Sequence, residues 1–567
     1  VVNTVKKGWL LERIDKNNKP LVQFRWAELL SLNDVVTLME IDRLPGYGFT
    51  GVTLWSSFMN HGLDSYYYTL PVIYSRFRQF NEVRDKNRIK EGAAFLKEAI
   101  RRAHLKGLTL MHGYNICNFV GGQPVSTSLR TDAAYTAIRK VQSDWLNEYG
   151  EPDFSKDFWY DFMAEEIDDF FRQFPDIDGL FCFNCESSQF TPSRLYHQKI
   201  PRKDIVIRAT QTIYDVCRKH GKMMTHDIHS AGANRQQTED IIAAAGKCPD
   251  IILGADCTYS DWHMFLPTTP WLEKMKERNR IYMGFDCAGE YFGKGKVLGL
   301  WPNWIIKHFE NGKKHNLTAI TTRTQIWSKG ISAFASPFLN LNVRVLMKLA
   351  LEGAINLDRE MEAWWKDNFK GQWSQELKEI LLLFESLQKN ILHVNYSNVS
   401  NSGISFPDSI FVGKDRVSFF EQFARPGTRL DPAIHTMTPE EGMTVKPFEY
   451  LRQEKLDGIA ECKSAIKRLG HLNLPVETSQ LLQTRFLQAK DVALAHLYHL
   501  DAAHALYQQI GEYQDGTVAN PRAALREALA HIRAHADEMD GRWGSSFYDC
   551  FTASMRKFAD SVPSKYL

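Results

Sequence analysis

The chain has 567 residues, 24% of them charged, and its formal charge nearly cancels at +2. That length exceeds one ordinary domain, so two or more are expected, and a near-neutral chain has no global field to recruit nucleic acid or an anionic membrane. No apolar run reaches the roughly eighteen residues needed to cross a bilayer.

The N-terminal Val1-Val2-Asn3-Thr4 carries no signal-peptide pattern, although a trimmed leader leaves no trace. Nine cysteines cannot all pair with one another. Cys182, Cys185, Cys257 and Cys287 fall in or just after strand-like runs, where cysteine acts as a small apolar residue. Unpaired thiols point to the cytoplasm and a processed leader would point to the periplasm. Cys182-Phe-Asn-Cys185 has CxxC spacing with no second CxxC, so packing is a better reading than zinc or redox chemistry. Aromatic residues make up 12% of the chain, with 14 Trp, shared between core and sugar-stacking roles.

In chain order, apolar runs bounded by turn residues occur at Leu21–Trp26, Gly51–Trp55, Leu108–His112, Gly179–Asn184, Met223–Asp227, Ile251–Ala255, Ile281–Phe285 and Leu317–Thr322. Helical patterns such as Lys90–Leu105 and Lys203–His220 lie between them. Several strands are entered through Gly or Asp turns, as in Pro175-Asp-Ile-Asp-Gly179. Such alternation predicts parallel βα units closing into a (β/α)8 TIM barrel over residues 1–345, with long loops after the second and third strands. An open doubly wound sheet is the weaker alternative, because no GxGxxG follows the first strand.

From residue 346 to 567 the strands stop and an all-helical C-terminal domain is expected. Its helices are Gln375–Leu392 behind Ser374, Lys446–Leu472, Thr478–Ile510 and Arg522–Glu538 behind Asn520-Pro521. Thr438-Pro-Glu-Glu441 marks another helix start, and Asn395–Gly427 reads as an irregular connection. This domain shows no chemistry of its own; its helical surfaces are suited to a homodimer.

Barrel active sites lie at the C-terminal strand ends. Those ends collect Arg25 and Glu28, His112 and Asn115, Glu186, then His226, Asp227 and His229. Asp256 and Asp261, Asp286 and Glu290, and Arg323 with Trp327 complete the ring. A single carboxylate of this kind is usually a solvated surface residue; their coincidence with strand ends is what points to chemistry. Two readings compete. Paired carboxylates hydrolyse a glycosidic bond by general acid and base. Alternatively, His112, His226, Asp227, His229 and Asp256 hold zinc in a metal-dependent hydrolase of the amidohydrolase or deacetylase type. The second reading lacks a His-x-His at the first strand, which has Phe24-Arg25-Trp26, and His226-Asp-Ile-His229 has the wrong spacing for one strand face.

The segment Pro175-Asp-Ile-Asp-Gly-Leu…Asn-Cys-Glu-Ser187, the run Asp256-Cys-Thr-Tyr-Ser-Asp261, and Gly289-Glu-Tyr-Phe-Gly293 followed by Trp301-Pro-Asn-Trp304 together resemble family 67 of the glycoside hydrolases, the α-glucuronidases. The likeness runs from Leu21 to Phe369 and includes Asn115 after the third strand. The family's N-terminal β-domain has no counterpart in this sequence. The resemblance implies an inverting, exo-acting glycosidase with a carbohydrate substrate and no cofactor. Glu186 would be the general acid, and Asp261 with Glu290 would prepare the water. Asp227, Asp256, Asn115, His112 and His226 would hold the sugar, while Trp55, Trp262 and Trp327 would stack on it. The chain departs from the family where cations become Asp227, Asp256 and Phe265. A uronate carboxylate would then depend on Arg25 or Arg323.

Overall fold

The computed structural model describes residues 20–29, 34–54, 70–78, 81, 86–116, 143–148, 153–183, 198–228, 235–258, 262–275, 280–325, 332–394, 397–398, 406, 411–412, 416–417, 447–511, 516–544 and 551–567. Eight parallel strands close into one barrel in chain order. They are β1 Phe24–Leu29, β2 Gly51–Leu54, β3 Thr109–Asn115, β4 Gly179–Phe183, β5 Met223–Asp227, β6 Ile252–Asp256, β7 Ile281–Asp286 and β8 Ala319–Arg323. β1 lies between β2 and β8, with Trp26 opposite Gly51 and Arg25 opposite Ile320. The (β/α)8 expectation holds strand for strand. The largest end offsets are three residues, at β1, expected to end at Trp26 and running on to Leu29, and at β3, expected to end at His112 and running on to Asn115.

The connecting helices are α1 Asp34–Arg43, α2 Lys86–Leu105, α3 Phe158–Gln173, α4 Arg202–Lys219, α5 Arg235–Ala245, α6 Trp271–Met275, α7 Pro302–Lys313 and, after β8, α8 Leu339–Glu352. α3 shows why such segments are helical. Trp159, Phe162, Met163, Ile167 and Phe170 recur at the spacing of one helix face and are all buried. The expected boundary at residue 345 falls inside α8, whose C-terminal carbonyls of Ala350 and Leu351 accept from the backbone N–H groups of Val22 and Leu21.

Alternation along the strands sends one side chain inward and the next toward the helices. Two rings dominate the interior. Trp26 donates through Nε1 to Thr109 Oγ1 at 3.3 Å, and the Tyr282 ring lies 5.4 Å from that of Phe181. Two glycines admit them: a Cβ at Gly51 would fall 2.5 Å from the Trp26 indole, and one at Gly254 would fall 2.2 Å from the Tyr282 ring. Outward-facing Leu110, Leu180, Cys182, Met224, Leu253 and Met283 join the helices in one continuous core. The described cysteines Cys182, Cys217, Cys248, Cys257, Cys287 and Cys462 are all buried thiols.

The C-terminal part is helical as expected: α9 Leu357–Asn368, α10 Gln375–Ser386, α11 Gln388–Leu392, α12 Phe448–Leu469, α13 Val476–Ile510, α14 Pro521–Trp543 and α15 Phe551–Asp560. Ser374 caps α10 by accepting from Leu377 N at 3.1 Å, and Asn520 caps α14 by accepting from Ala523 N at 3.1 Å. The expected Gln375–Leu392 helix is split at Leu387 into α10 and α11. Two short ladders also occur past residue 345: His393–Val394 with Ser397–Asn398, and Phe411–Val412 with Arg416–Val417. Thr438–Glu441 and most of Asn395–Gly427 lie outside the described residues. Glu385 ties this region to the barrel, accepting from the backbone N–H groups of Asn303 and Trp304 at 3.0 and 2.6 Å where α7 begins.

Glu40 on α1 is buried, and its Oε2 accepts from Gln325 Nε2 at 2.6 Å. Burial pushes its carboxyl up to about 7. A raised folded-state value means the native state keeps the proton to higher pH than the unfolded chain. The group's contribution to stability therefore falls as pH climbs from the ordinary carboxylate range through about 7. Glu40→Gln removes the buried charge, so thermal denaturation should show the variant gaining more over the parent at about pH 8 than at about pH 5. A pH-independent difference would contradict this account.

Candidate active site

The last inward positions of five strands are charged: Glu28 on β1, Asp227 on β5, Asp256 on β6, Asp286 on β7 and Arg323 on β8. They converge at the C-terminal mouth. Glu28, Asp227 and Asp256 all act electrostatically on the Tyr282 hydroxyl below them. Asp256 Oδ1 lies 3.4 Å from the point a Cβ on Gly284 would occupy, and Glu28 reaches across to Arg323 at 4.0 Å. All four carboxylates are buried.

Asp286 shapes the loop that carries Glu290. Its carboxylate accepts from the backbone N–H groups of Ala288, Gly289 and Glu290 at 2.9, 2.7 and 2.6 Å. Gly289 turns with φ of 90°, and a Cβ there would fall 2.7 Å from the Trp301 ring. Trp301 Nε1 in turn donates to the Asp286 carbonyl at 3.0 Å. Burial pushes the Asp286 carboxyl up to about 6, against the opposing pull of Arg323 and these backbone bonds.

Arg323 is the cation of this cluster. Its guanidinium forms an ion pair with Glu290, faces Glu28, and lies 4.4 Å over the Trp262 ring. Trp262 is held in place by donating Nε1 to the Gly284 carbonyl at 3.1 Å. The loop carrying Trp262 also reaches the helical region, where Phe265 packs edge-on against His393 with ring centroids 4.8 Å apart.

Of the residues expected at the site, Glu290, Asp227, Asp256 and Arg323 are brought together at the mouth. Asn115 ends β3, paired in register with Phe183. Trp262 is adjacent but is not an open stacking platform: it is 2% exposed and one ring face carries Arg323. Three expectations are corrected. Arg25 lies at the opposite end of β1 and donates to the carbonyls of Gly48 and Val22, each at 2.7 Å. His112 turns outward against Phe170 of α3, ring centroids 5.5 Å apart. His226 is also on the helix-facing side of its strand, opposite Cys182 in register, and fully buried. Burial lowers these imidazoles to about 4 and about 3 respectively. With both histidines facing the helices, neither joins Asp227 and Asp256 in the zinc set of the alternative reading. Among the described residues, no group of three His, Cys, Asp or Glu side chains is placed to hold a metal ion. Trp55, Tyr66–Tyr68, Glu186, His229, Asp261 and Trp327 lie outside the described residues.

The sequence places Glu28 and Asp286 at strand ends without a role, and does not single out Tyr282 as lying beneath them. Alternation was the available signal. In Ile281–Asp286 the inward set is Tyr282, Gly284 and Asp286, and in Phe24–Leu29 it is Phe24, Trp26 and Glu28.

No protein-family model matches the sequence, and no curated protein sequence does. The fold, however, is similar to that of solved glycoside hydrolases. One is a GH138 enzyme targeting the pectin rhamnogalacturonan II, with TM-score 0.58 and 11% identity over 92% of this chain and 62% of that one. An O-GlcNAc hydrolase mutant from Thermobaculum terrenum aligns over 94% of this chain and 95% of its own, with TM-score 0.39 and 9% identity. The chain thus spans less than two thirds of the GH138 enzyme's length. At 11% identity the likeness to the GH138 enzyme shows a shared fold and nothing finer.

Removing Arg323 leaves Glu290 and Glu28 beside each other in a buried mouth without their cation. Arg323→Met should therefore destabilise the protein by about 3–5 kcal/mol in urea denaturation, as loss of one partner of a buried pair does. A loss below about 1 kcal/mol would show that the pair carries no such load.

Proposed function

We propose that the protein is a glycoside hydrolase acting at the C-terminal mouth of its barrel. The observation that carries this reading is that Glu28, Asp227, Asp256, Asp286 and Glu290 share one barrel mouth with Arg323 and Trp262. Carboxylates are acceptors for sugar hydroxyls, and two of suitable placement supply the acid and base of glycosidic cleavage. The fold it shares with the GH138 enzyme supports the same reading.

In this proposal Glu186, which follows shortly after β4 ends at Phe183, protonates the leaving oxygen. Asp261 and Glu290 orient and deprotonate the attacking water. A carboxylate paired with a guanidinium, as Glu290 is with Arg323, is suited to accept a proton and not to donate one. Asp227, Asp256 and Asn115 hold sugar hydroxyls, with Trp55 and Trp327 as stacking surfaces. The reaction is exo-acting and inverting on an α-glucuronidase-like framework. With Arg25 bonded to backbone at the far end of β1, a uronate carboxylate would have Arg323 as its partner among the described residues.

Glu186→Gln should lower kcat on an unactivated glycoside by roughly 10²–10⁴-fold with thermal stability unchanged. Near-normal turnover by this variant would end the assignment of Glu186. The first-formed product anomer, followed by NMR, should be inverted, consistent with acid and base roughly 6.5–9.5 Å apart. A retained anomer would replace the inverting reading, and activity lost to a strong chelator would reopen metal chemistry.

A further inference from the structure

Among the polar groups of the described barrel interior that the proposed chemistry does not use is the phenol of Tyr282. Tyr282, in the middle of β7, is fully buried, and its ring is seated against Gly254 and Phe181. Its hydroxyl is close enough to Asp227 to feel its carboxylate as a hydrogen-bond acceptor, yet completes no bond of ordinary geometry with it. The carboxylates of Asp227, Glu28 and Asp256 surround it from β5, β1 and β6, Asp227 acting on it most strongly. A buried hydroxyl left without a partner keeps its desolvation cost, and phenylalanine would fill the same space without it.

We propose that Tyr282 is a positioning residue for the sugar-binding mouth: its phenol is a donor reserved for Asp227, and the bond closes when a ligand occupies the site. Asp227 then holds the phenol with one carboxylate oxygen and presents the other to a sugar hydroxyl. Geometry permits this with small movement, since Asp227 is the last inward residue of β5 and Tyr282 lies one layer below. The chemistry also suits it. Burial first, then the three carboxylates, push the phenol well above the usual tyrosine range, so it remains a proton donor throughout the working pH range. The inference rests on the glycosidase reading for its ligand, but its structural part stands on the Tyr282 hydroxyl itself.

The test compares wild type, Tyr282→Phe, Asp227→Asn and the double variant, using whichever of the α- and β-4-nitrophenyl hexosides, deoxyhexosides and hexuronides wild type cleaves. Expected for Tyr282→Phe are an unchanged or raised Tm and a fall in kcat/KM of at least about tenfold. The fall should not multiply with that of Asp227→Asn, because both variants break one unit. Full activity in Tyr282→Phe, losses that multiply, or a lowered Tm would each overturn the proposal. Should wild type cleave none of the glycosides, the glycosidase reading fails separately. Tyr282 is then judged on Tm alone, where a Phe variant less stable than its parent counts against it.

Discussion

Closure of the barrel governs the rest of this structure. Once β8 pairs with β1, alternate side chains of all eight strands must share one narrow interior. Large rings are admitted only where a neighbour gives up its side chain, as Gly51 does for Trp26 and Gly254 for Tyr282. The same closure brings the last inward residue of each strand to a common mouth. Acids distant in the chain, from Glu28 to Asp286, become neighbours because they occupy equivalent positions in a ring.

That crowding of like charge carries an electrostatic cost, and the local structure shows how it is met. Asp286 turns its charge toward three backbone N–H groups and so folds the loop that delivers Glu290. Arg323 sits between Glu290 and Glu28, with Trp262 beneath its guanidinium. An arginine serves here because its planar group can pair with carboxylates at its edge while stacking on an indole through its face. Structural support and prospective chemistry thus use the same residues.

The helical region bears on the mouth through the loops of the last strands. Glu385 receives the first N–H groups of α7, the Arg485 guanidinium of α13 donates to the Lys296 carbonyl, and His393 packs on Phe265. These contacts fall on the segments after β6 and β7 that carry Trp262 and Glu290. The helical region can therefore set how rigidly these loops are held.

By itself the sequence determined the architecture: eight apolar runs alternating with helical patterns read directly as βα units, and Ser374 and Asn520 marked helix starts where they occur. It also determined that acids cluster at strand ends, since the end of a strand is local information. It did not determine which end residues face the axis. Strands of a parallel barrel are buried on both sides, so apolar character does not distinguish the inward face from the outward one. Arg25, His112 and His226 are therefore indistinguishable by type from true mouth residues, yet the first lies at the far end and the others face the helices. Strand register and barrel closure decided that, because a shift of one position along a strand turns a side chain from the ligand to the core.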